Sequence, residues 1–321
     1  MELYPLIFEP ILKDRIWGGT KLQTYLGKTN LPTATTGESW ELSAVQGDVS
    51  VVKNGQYKNK ALTALLEEFP KEILGSKLHE QFGVQFPLLF KFLDAQDDLS
   101  IQVHPNDELA KKRHNSFGKT EMWYVMQANP GAKIIVGFKE KSSPEEYLKH
   151  LKDKDLITIL NQVEVKKGDV FFLETGTIHA IGAGIVIAEI QQTSDITYRI
   201  YDWDRVDAQG KSRELHVEQA LDAMNYNVTD TKKHYTKDEN KSNIMVDCPY
   251  FTTNFLPLNG EVEVSKDGNS FTVYICTEGE YTIKAGNKTY TFKKGDTVLI
   301  PAALKEYNLE GKATILEIYI S

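Results

Sequence analysis

Short apolar runs of strand length dominate the chain, closed by turns such as Gly47-Asp48, Lys167-Gly168-Asp169, Asp267-Gly268-Asn269 and Lys294-Gly295-Asp296. This texture predicts a mainly β protein of sandwich or barrel type, with helices as insertions. One helix is announced by Ser143-Pro144-Glu145-Glu146, a capping box with proline in the first turn, followed by an apolar stripe of Tyr147, Leu148 and Leu151. A second is expected from Leu62 to Phe69, interrupted at Pro70. A third is expected from Glu214 to Met224, with Leu215, Ala220 and Leu221 as its apolar side. The polar stretch Thr229 to Ser242 has no periodicity and reads as a linker. Flanking it, Lys166-Lys167-Gly168-Asp169-Val170-Phe171-Phe172 resembles Lys293-Lys294-Gly295-Asp296-Thr297-Val298-Leu299, so a strand–turn–strand unit is repeated. The predicted organisation is one unit over residues 1–240, carrying the helical insertions, and a smaller one over 241–321.

At 321 residues, 41% hydrophobic and 26% charged, the composition is that of an ordinary globular protein. A net charge of −8 argues against a broad nucleic-acid surface but leaves room for a locally positive pocket and a small anionic substrate. No run approaches a membrane span, and the start Met1-Glu2-Leu3-Tyr4-Pro5 lacks the basic-then-apolar pattern of a secretory leader. A cytoplasmic location is therefore expected. Cys248 and Cys276 have no metal-type spacing, so a metal site would have to use N and O ligands.

Such ligands are available. In Leu99-Ser100-Ile101-Gln102-Val103-His104, strict alternation predicts a strand with Leu99, Ile101 and Val103 in the core and Ser100, Gln102 and His104 on the opposite face. Gln102 and His104, two residues apart, suit a borderline metal ion, although a solvated strand face explains them too. Glu121 opens the apolar run after Lys119-Thr120 and would be costly to bury unless paired or coordinating; the alternative is a rim carboxylate paired with Lys119. In Gly168-Asp169-Val170-Phe171-Phe172-Leu173-Glu174-Thr175-Gly176-Thr177-Ile178-His179, the two glycines permit tight turns that would turn His179 inward. That spacing resembles the second cupin motif, G-x5-P-x-G-x2-H, with Glu174 in place of proline. Gln102-x-His104 with Glu121 downstream resembles the first, with Gln102 in place of a histidine. The resemblance implies two cupin-type (jelly-roll) β-barrels and a metal held by Gln102, His104, Glu121 and His179. From Gly295 the same offsets reach Pro301, Ala303 and Glu306, so the second unit is expected to be metal-free.

The order of further motifs narrows the family. Arg15-Ile16-Trp17-Gly18-Gly19, Gly37-Glu38-Ser39-Trp40-Glu41-Leu42-Ser43, Ser100 through Asp107, Gly118-Lys119-Thr120-Glu121 and Tyr198-Arg199-Ile200-Tyr201-Asp202 are similar to signatures of type I mannose-6-phosphate isomerases, in their short bacterial form. Thr120 departs from the proline that many members carry there. The resemblance implies interconversion of mannose 6-phosphate and fructose 6-phosphate through an enediol(ate). It implies one zinc ion per chain, with other divalent transition metals possible, and Arg199 as the active-site arginine. A strand through Ser194 to Tyr201 would put Asp195, Thr197 and Arg199 on one face, so Asp195, Glu189 and Lys119 are rival proton carriers. Lys91, Lys119, Ser100 and Arg15 are candidates for the phosphate, and Trp17 for the sugar ring. Two other classes share parts of the pattern: a non-haem iron dioxygenase using His104, Glu121 and His179, and a non-catalytic sugar-binding cupin.

Overall fold

The computed structural model describes residues 3–207 and 209–321. Met1 and Glu2, on which the reading of the chain's start partly rests, lie outside the described residues. Two antiparallel sheets form the larger unit. One has seven strands in the order Ile11–Asp14, Thr36–Leu42, Leu88–Ala95, Ile185–Gln192, Glu121–Ala128, Val170–Leu173 and Lys232–Lys233. The other has five, Tyr198–Tyr201, Ile101–Val103, His179–Ile181, Lys133–Phe138 and Leu160–Glu164. They face each other across a core of Leu93, Trp123, Ile187, Ile134, Val136 and Ile181, the face-to-face arrangement of a jelly roll.

Both faces of the seven-stranded sheet are covered. Every residue of Ile185–Gln192 is buried: Ile185 and Ile187 point between the sheets, whereas Val186, Ala188 and Ile190 point outward. The outward side packs on Leu62, Leu65 and Ile73 of the helical insertion and on Phe255, Val273 and Leu316 of a third sheet. That third sheet is the smaller unit, six strands in which Thr252–Ser265 and Glu306–Tyr319 pair along their whole length and curl around a separate core of Leu256, Tyr274, Ile283 and Leu309.

The helices follow their local chemistry. Ser143 Oγ accepts the Glu146 N–H at 3.2 Å and opens Pro144–Lys152. Tyr147 is buried there, but Leu148 is exposed, because the residue next to a buried one lies about 100° round the helix axis. The Leu62–Glu68 helix stops before Pro70, which starts another, Pro70–Leu74. The expected Glu214–Met224 helix is shorter, Val217–Ala223, and leaves Leu215 exposed outside it. An additional helix, Asp107–His114, is capped by Asn106, whose Oδ1 accepts the Leu109 N–H at 2.9 Å. The polar stretch expected to be a linker is in part packed. Lys232–Lys233 pairs with Val170 and Phe171, and the Tyr235 hydroxyl donates to the Gly168 carbonyl at 2.8 Å.

The sequence repeat is a repeat of geometry. Gly168 and Gly295 have φ of +88° and +91°. Asp169 accepts from the Lys166 N–H and Asp296 from the Lys293 N–H, at 3.1 and 2.8 Å. Each glycine N–H donates to the neighbouring strand, at Val125 and Cys276 respectively. The two turns differ in surroundings. A Cβ on Gly168 would meet nothing closer than 3.5 Å, whereas one on Gly295 would lie 2.4 Å from the Leu26 carbonyl oxygen. Gly168→Ala should therefore cost only backbone strain, about 1–2 kcal/mol, and Gly295→Ala clearly more. Urea unfolding of the two variants checks this; equal losses would show that the Leu26 contact yields freely.

Candidate metal centre and active-site cavity

The polar side chains that the strand alternation turns inward meet between the two sheets. Gln102 lies on Ile101–Val103, His104 follows it, His179 opens the adjacent strand and Glu121 opens a strand of the facing sheet. His179 is the register partner of Gln102, and Arg199 is its partner on the other side, so His179, Gln102 and Arg199 form one row across the five-stranded sheet. Ile101 and Val103 point into the opposite core as expected. Leu99 does not, because the strand begins only at Ile101; it packs instead between the sheets.

Ligand atoms of His104, Glu121 and His179 lie within 4.8 Å of one another, all three residues buried. His179 Nε2 is 3.4 Å from Glu121 Oε1, and His104 Nε2 is 3.6 Å from Oε2. Each imidazole uses its Nδ1–H on a backbone carbonyl, His104 on Ile196 at 2.9 Å and His179 on Thr177 at 2.8 Å. This fixes the tautomer and leaves both Nε2 lone pairs aimed at the common point. Burial holds both rings neutral: His104 is pushed well below its ordinary range and His179 down to about 4. The Gln102 amide is 3.2 Å from His179 Nε2, and a flip of this near-symmetric group brings its carbonyl oxygen to the same place.

Glu121 is the outlier. It is wholly buried, and among the described residues neither carboxylate oxygen receives a hydrogen bond of good geometry. Lys119 Nζ approaches Oε2 to 3.2 Å as an ion pair and also lies 3.1 Å from His104 Nε2. Burial pushes the Glu121 carboxyl up to about 7 despite that cation. Burial works against the Lys119 charge as well, but the carboxylates of Glu121 and Glu189 outweigh it and raise its pKa. An orphaned carboxylate beside two neutral imidazoles fits a divalent cation. Glu121 is no rim group paired at the surface.

Facing these residues is a cross-strand row on the seven-stranded sheet, in which Trp40 pairs with Lys91, Lys91 with Glu189 and Glu189 with Trp123. Lys91 Nζ lies 3.1 Å from Glu189 Oε2 and 4.9 Å from the centre of the Trp40 ring. Trp123 Nε1–H donates to Glu189 Oε1 at 3.1 Å. Burial opposes the Glu189 charge, but Lys91 and Lys119 outweigh it and hold the carboxyl below its ordinary value.

The cavity bounded by Trp40, Lys91 and Glu189 of that row and, on the ligand side, by Gln102 and Lys119 has a volume of about 570 Å³. Its walls include every other residue singled out from the sequence: Arg15, Trp17, Ser100, Asp195 and Arg199 join Lys91, Lys119 and Glu189. Asp195 is not on a strand. The strand begins at Tyr198, and Asp195 sits exposed in irregular chain at the cavity edge. The reason is that the backbone of this segment serves other partners: the Ile196 carbonyl holds His104, and the Thr193 N–H donates to the Pro87 carbonyl. Glu38, Trp40, Arg213 and His216 also line the cavity and were given no role from the sequence. Glu38 and Trp40 carried a usable signal, since they lie two apart on one strand face; Arg213 and His216 sit in irregular chain and carried none. A larger cavity, about 690 Å³, opens on the far side of Asp195 beside Val45, Phe86 and His114. It holds no cluster of metal-type ligands among the described residues.

A family model described as the catalytic domain of type I phosphomannose isomerase matches residues 6–133. Another, described as the cupin domain of mannose-6-phosphate isomerase, matches residues 240–320. The chain is 40% identical over 317 residues to mannose-6-phosphate isomerase ManA of Bacillus subtilis, covering 98% of each chain. It is 38% identical to the mannose-6-phosphate isomerase of Streptococcus mutans over 97% of each. The crystal structure of the mannose 6-phosphate isomerase from Bacillus subtilis matches with a TM-score of 0.90 and 35% identity, over 99% of this chain and 100% of that one. Phosphomannose isomerase from Salmonella typhimurium, at 17% identity and a TM-score of 0.81, shares the fold. With such identity sustained over nearly the full length of both chains, and with two family models matching in order along it, the chain belongs to the type I phosphomannose isomerase family.

Proposed function

We propose that the chain interconverts mannose 6-phosphate and fructose 6-phosphate in this cavity, with one divalent metal ion held by Gln102, His104, Glu121 and His179. The observation that carries the reading is the buried Glu121 carboxylate, orphaned among the described residues and facing two imidazole Nε2 atoms, next to Lys119, which with Gln102 lines a cation-rich cavity. Zinc suits this donor set, which nickel, cobalt, manganese and iron share. When bound, such an ion supplies Lewis-acid polarisation and orientation of the sugar oxygens. The catalytic unit is residues 1–240, and 241–321 form a metal-free cupin packed on its outer face.

Isomerisation moves a proton between C1 and C2 while negative charge grows on the two oxygens. Arg199, beside Gln102 in the sheet, has no carboxylate partner among the described residues; its Nη1 donates only to the Glu214 carbonyl. Burial and neighbouring arginines lower its pKa, but from a value so high that it remains charged at neutral pH. Its full charge is therefore available to the enediolate. Lys119, held protonated, adds a second positive group. Glu189, held ionised, has the charge state of a proton acceptor, and Lys91 in contact with it can relay the proton. Asp195 is the rival carrier, placed between the cavity and bulk water. Ser100, Arg15 and Trp17 form the wall against which the sugar lies.

Chelation should abolish isomerase activity yet leave the β signal in circular dichroism, because the ligand strands are anchored by their apolar faces. His179→Ala should bring bound metal close to zero; a variant retaining a full equivalent would exclude the proposed ligand set. Arg199→Ala should lower kcat by ~10²–10³-fold, the scale for one preorganised electrostatic donor, with metal content unchanged. Steady-state kinetics on mannose 6-phosphate with parallel metal analysis checks it. A raised KM at near-normal kcat would remove Arg199 from the enediolate.

A further inference from the structure

The carboxylate of Asp107, which does not line the active-site cavity, joins three separate parts of the chain. Asp107 opens the helix Asp107–His114, three residues after His104. Its Oδ1 accepts the Gly118 N–H at 2.8 Å and a Gln192 Nε2–H at 3.0 Å, and its Oδ2 accepts the Tyr250 hydroxyl at 2.7 Å. Gln192 passes the contact on: its Oε1 accepts the Thr120 N–H at 2.9 Å, and its own N–H donates to the Thr120 carbonyl at 3.1 Å. A proline at position 120 would have no N–H to give, so this link depends on the threonine that stands there.

Asp107 thus holds the backbone of Gly118 directly and that of Thr120 through Gln192, on both sides of Lys119 and next to Glu121. The fit is close. A Cβ on Gly118 would lie 2.7 Å from the Asp107 nitrogen, and the Lys119 N–H reaches the Pro105 carbonyl at 3.3 Å. The segment that follows His104 is therefore laid against the segment that precedes Glu121. Because the Glu121 oxygens have no well-placed donors of their own, the backbone beside them has to fix the carboxylate. Tyr250 belongs to the smaller unit, at the turn between Asn243–Asp247 and Thr252–Ser265. Burial and the Asp107 carboxylate push its hydroxyl up to about 12, so it stays a donor at neutral pH. Its neighbour Phe251 is buried and meets Phe172 of the larger unit edge-on, with ring centres 6.5 Å apart, which anchors the turn. We propose that Asp107 is a positioning residue for the metal centre, and that the smaller unit contributes to turnover through the Tyr250 hydroxyl that fixes this carboxylate. The proposal rests on the isomerase reading for its effect on turnover, and on the ligand set alone for its effect on the metal.

The test uses the full chain, stripped by chelation and reloaded with cobalt(II), whose visible absorption reports ligand geometry. Asp107→Ala should lower kcat for mannose 6-phosphate by about 10–100-fold, the range for loss of a residue that orients a metal ligand. KM should change little, and the cobalt bands should shift. Asp107→Asn should restore most of kcat and the parent spectrum, since its Oδ1 still accepts from Gly118 and Gln192 while its amide donates to the Tyr250 oxygen. Tyr250→Phe deletes one hydroxyl at the boundary of the units and should lower kcat by about 3–10-fold, the scale of one hydrogen bond, with the same direction of spectral shift. A lower Tm in Tyr250→Phe at parent kcat and parent spectrum would reduce the hydroxyl to a packing contact and overturn the part given to the smaller unit. Parent kcat and spectrum in a folded Asp107→Ala protein would overturn the positioning role. Should that variant not fold, Gln192→Leu decides in its place: it cuts the link to Thr120 and leaves Asp107 on Gly118 and Tyr250, so an unshifted spectrum with normal kcat would overturn the role equally. A parent without turnover whose cobalt spectrum still shifts in Asp107→Ala would refute the isomerase reading and leave the positioning role standing.

Discussion

Burial of the Glu121 carboxylate without hydrogen-bond donors is the constraint around which the larger unit is arranged. An isolated charge taken out of water costs several kcal/mol even after relaxation. The surrounding groups offset that cost electrostatically without saturating the oxygens. Lys119 supplies an ion pair at 3.2 Å and is itself drawn toward Glu189, which Lys91 holds in turn. The alternation Lys91, Glu189, Lys119, Glu121 spreads the charge through the site, so that each member is held by a neighbour. The Glu121 oxygens remain open to a cation.

Sheet geometry converts that electrostatic arrangement into a site. One sheet presents its row of Trp40, Lys91, Glu189 and Trp123, the other its row of His179, Gln102 and Arg199. Register, set by apolar residues pointing the opposite way, fixes which side chains are neighbours; a one-residue slip would send every one of them into the outer core. Loop backbone completes the orientation, with the Ile196 and Thr177 carbonyls holding the two imidazoles. Segments without regular structure are thus as constrained as the strands.

This division explains what could be read from the chain. Alternation placed Gln102 and His104 on one face, turn spacing located His179, and a carboxylate heading an apolar run flagged Glu121, because strand period and burial cost are local properties. The strand expected from Ser194 failed where Ile196 gave its carbonyl to His104, a contact across 92 positions that no local pattern carries. Likewise, the 229–242 stretch looked like a linker because its polarity was visible and its pairing with Val170 and Phe171 was not. Arg213 escaped for the same reason: its partner Asp202 lies 11 residues away across an irregular loop. The Asp107–His114 helix had readable signals in its Asn106 cap and its acidic start and basic end, but its short apolar stripe concealed it.

The smaller unit supplies an internal comparison for Glu121. Glu317 is also a buried glutamate inside a cupin sheet, yet its carboxylate is fully partnered. One oxygen accepts from Lys266 Nζ at 2.8 Å and the Tyr274 hydroxyl at 3.2 Å, the other from Ser242 Oγ at 2.6 Å and Asn254 Nδ2 at 2.9 Å. Burial works against its charge, but Lys266 and these donors together lower the carboxyl below its ordinary value. A glutamate whose task is to hold a fold is treated this way: four donors, no vacancy in its coordination. The unit that retains the glycine turn but lacks the histidine offsets has filled its interior with Tyr274, Tyr307 and a satisfied carboxylate. The unit with the histidines leaves its carboxylate short of donors. The same chain can satisfy a buried glutamate and in one place does not, and that difference supports reading Glu121 as a ligand rather than as a packing residue.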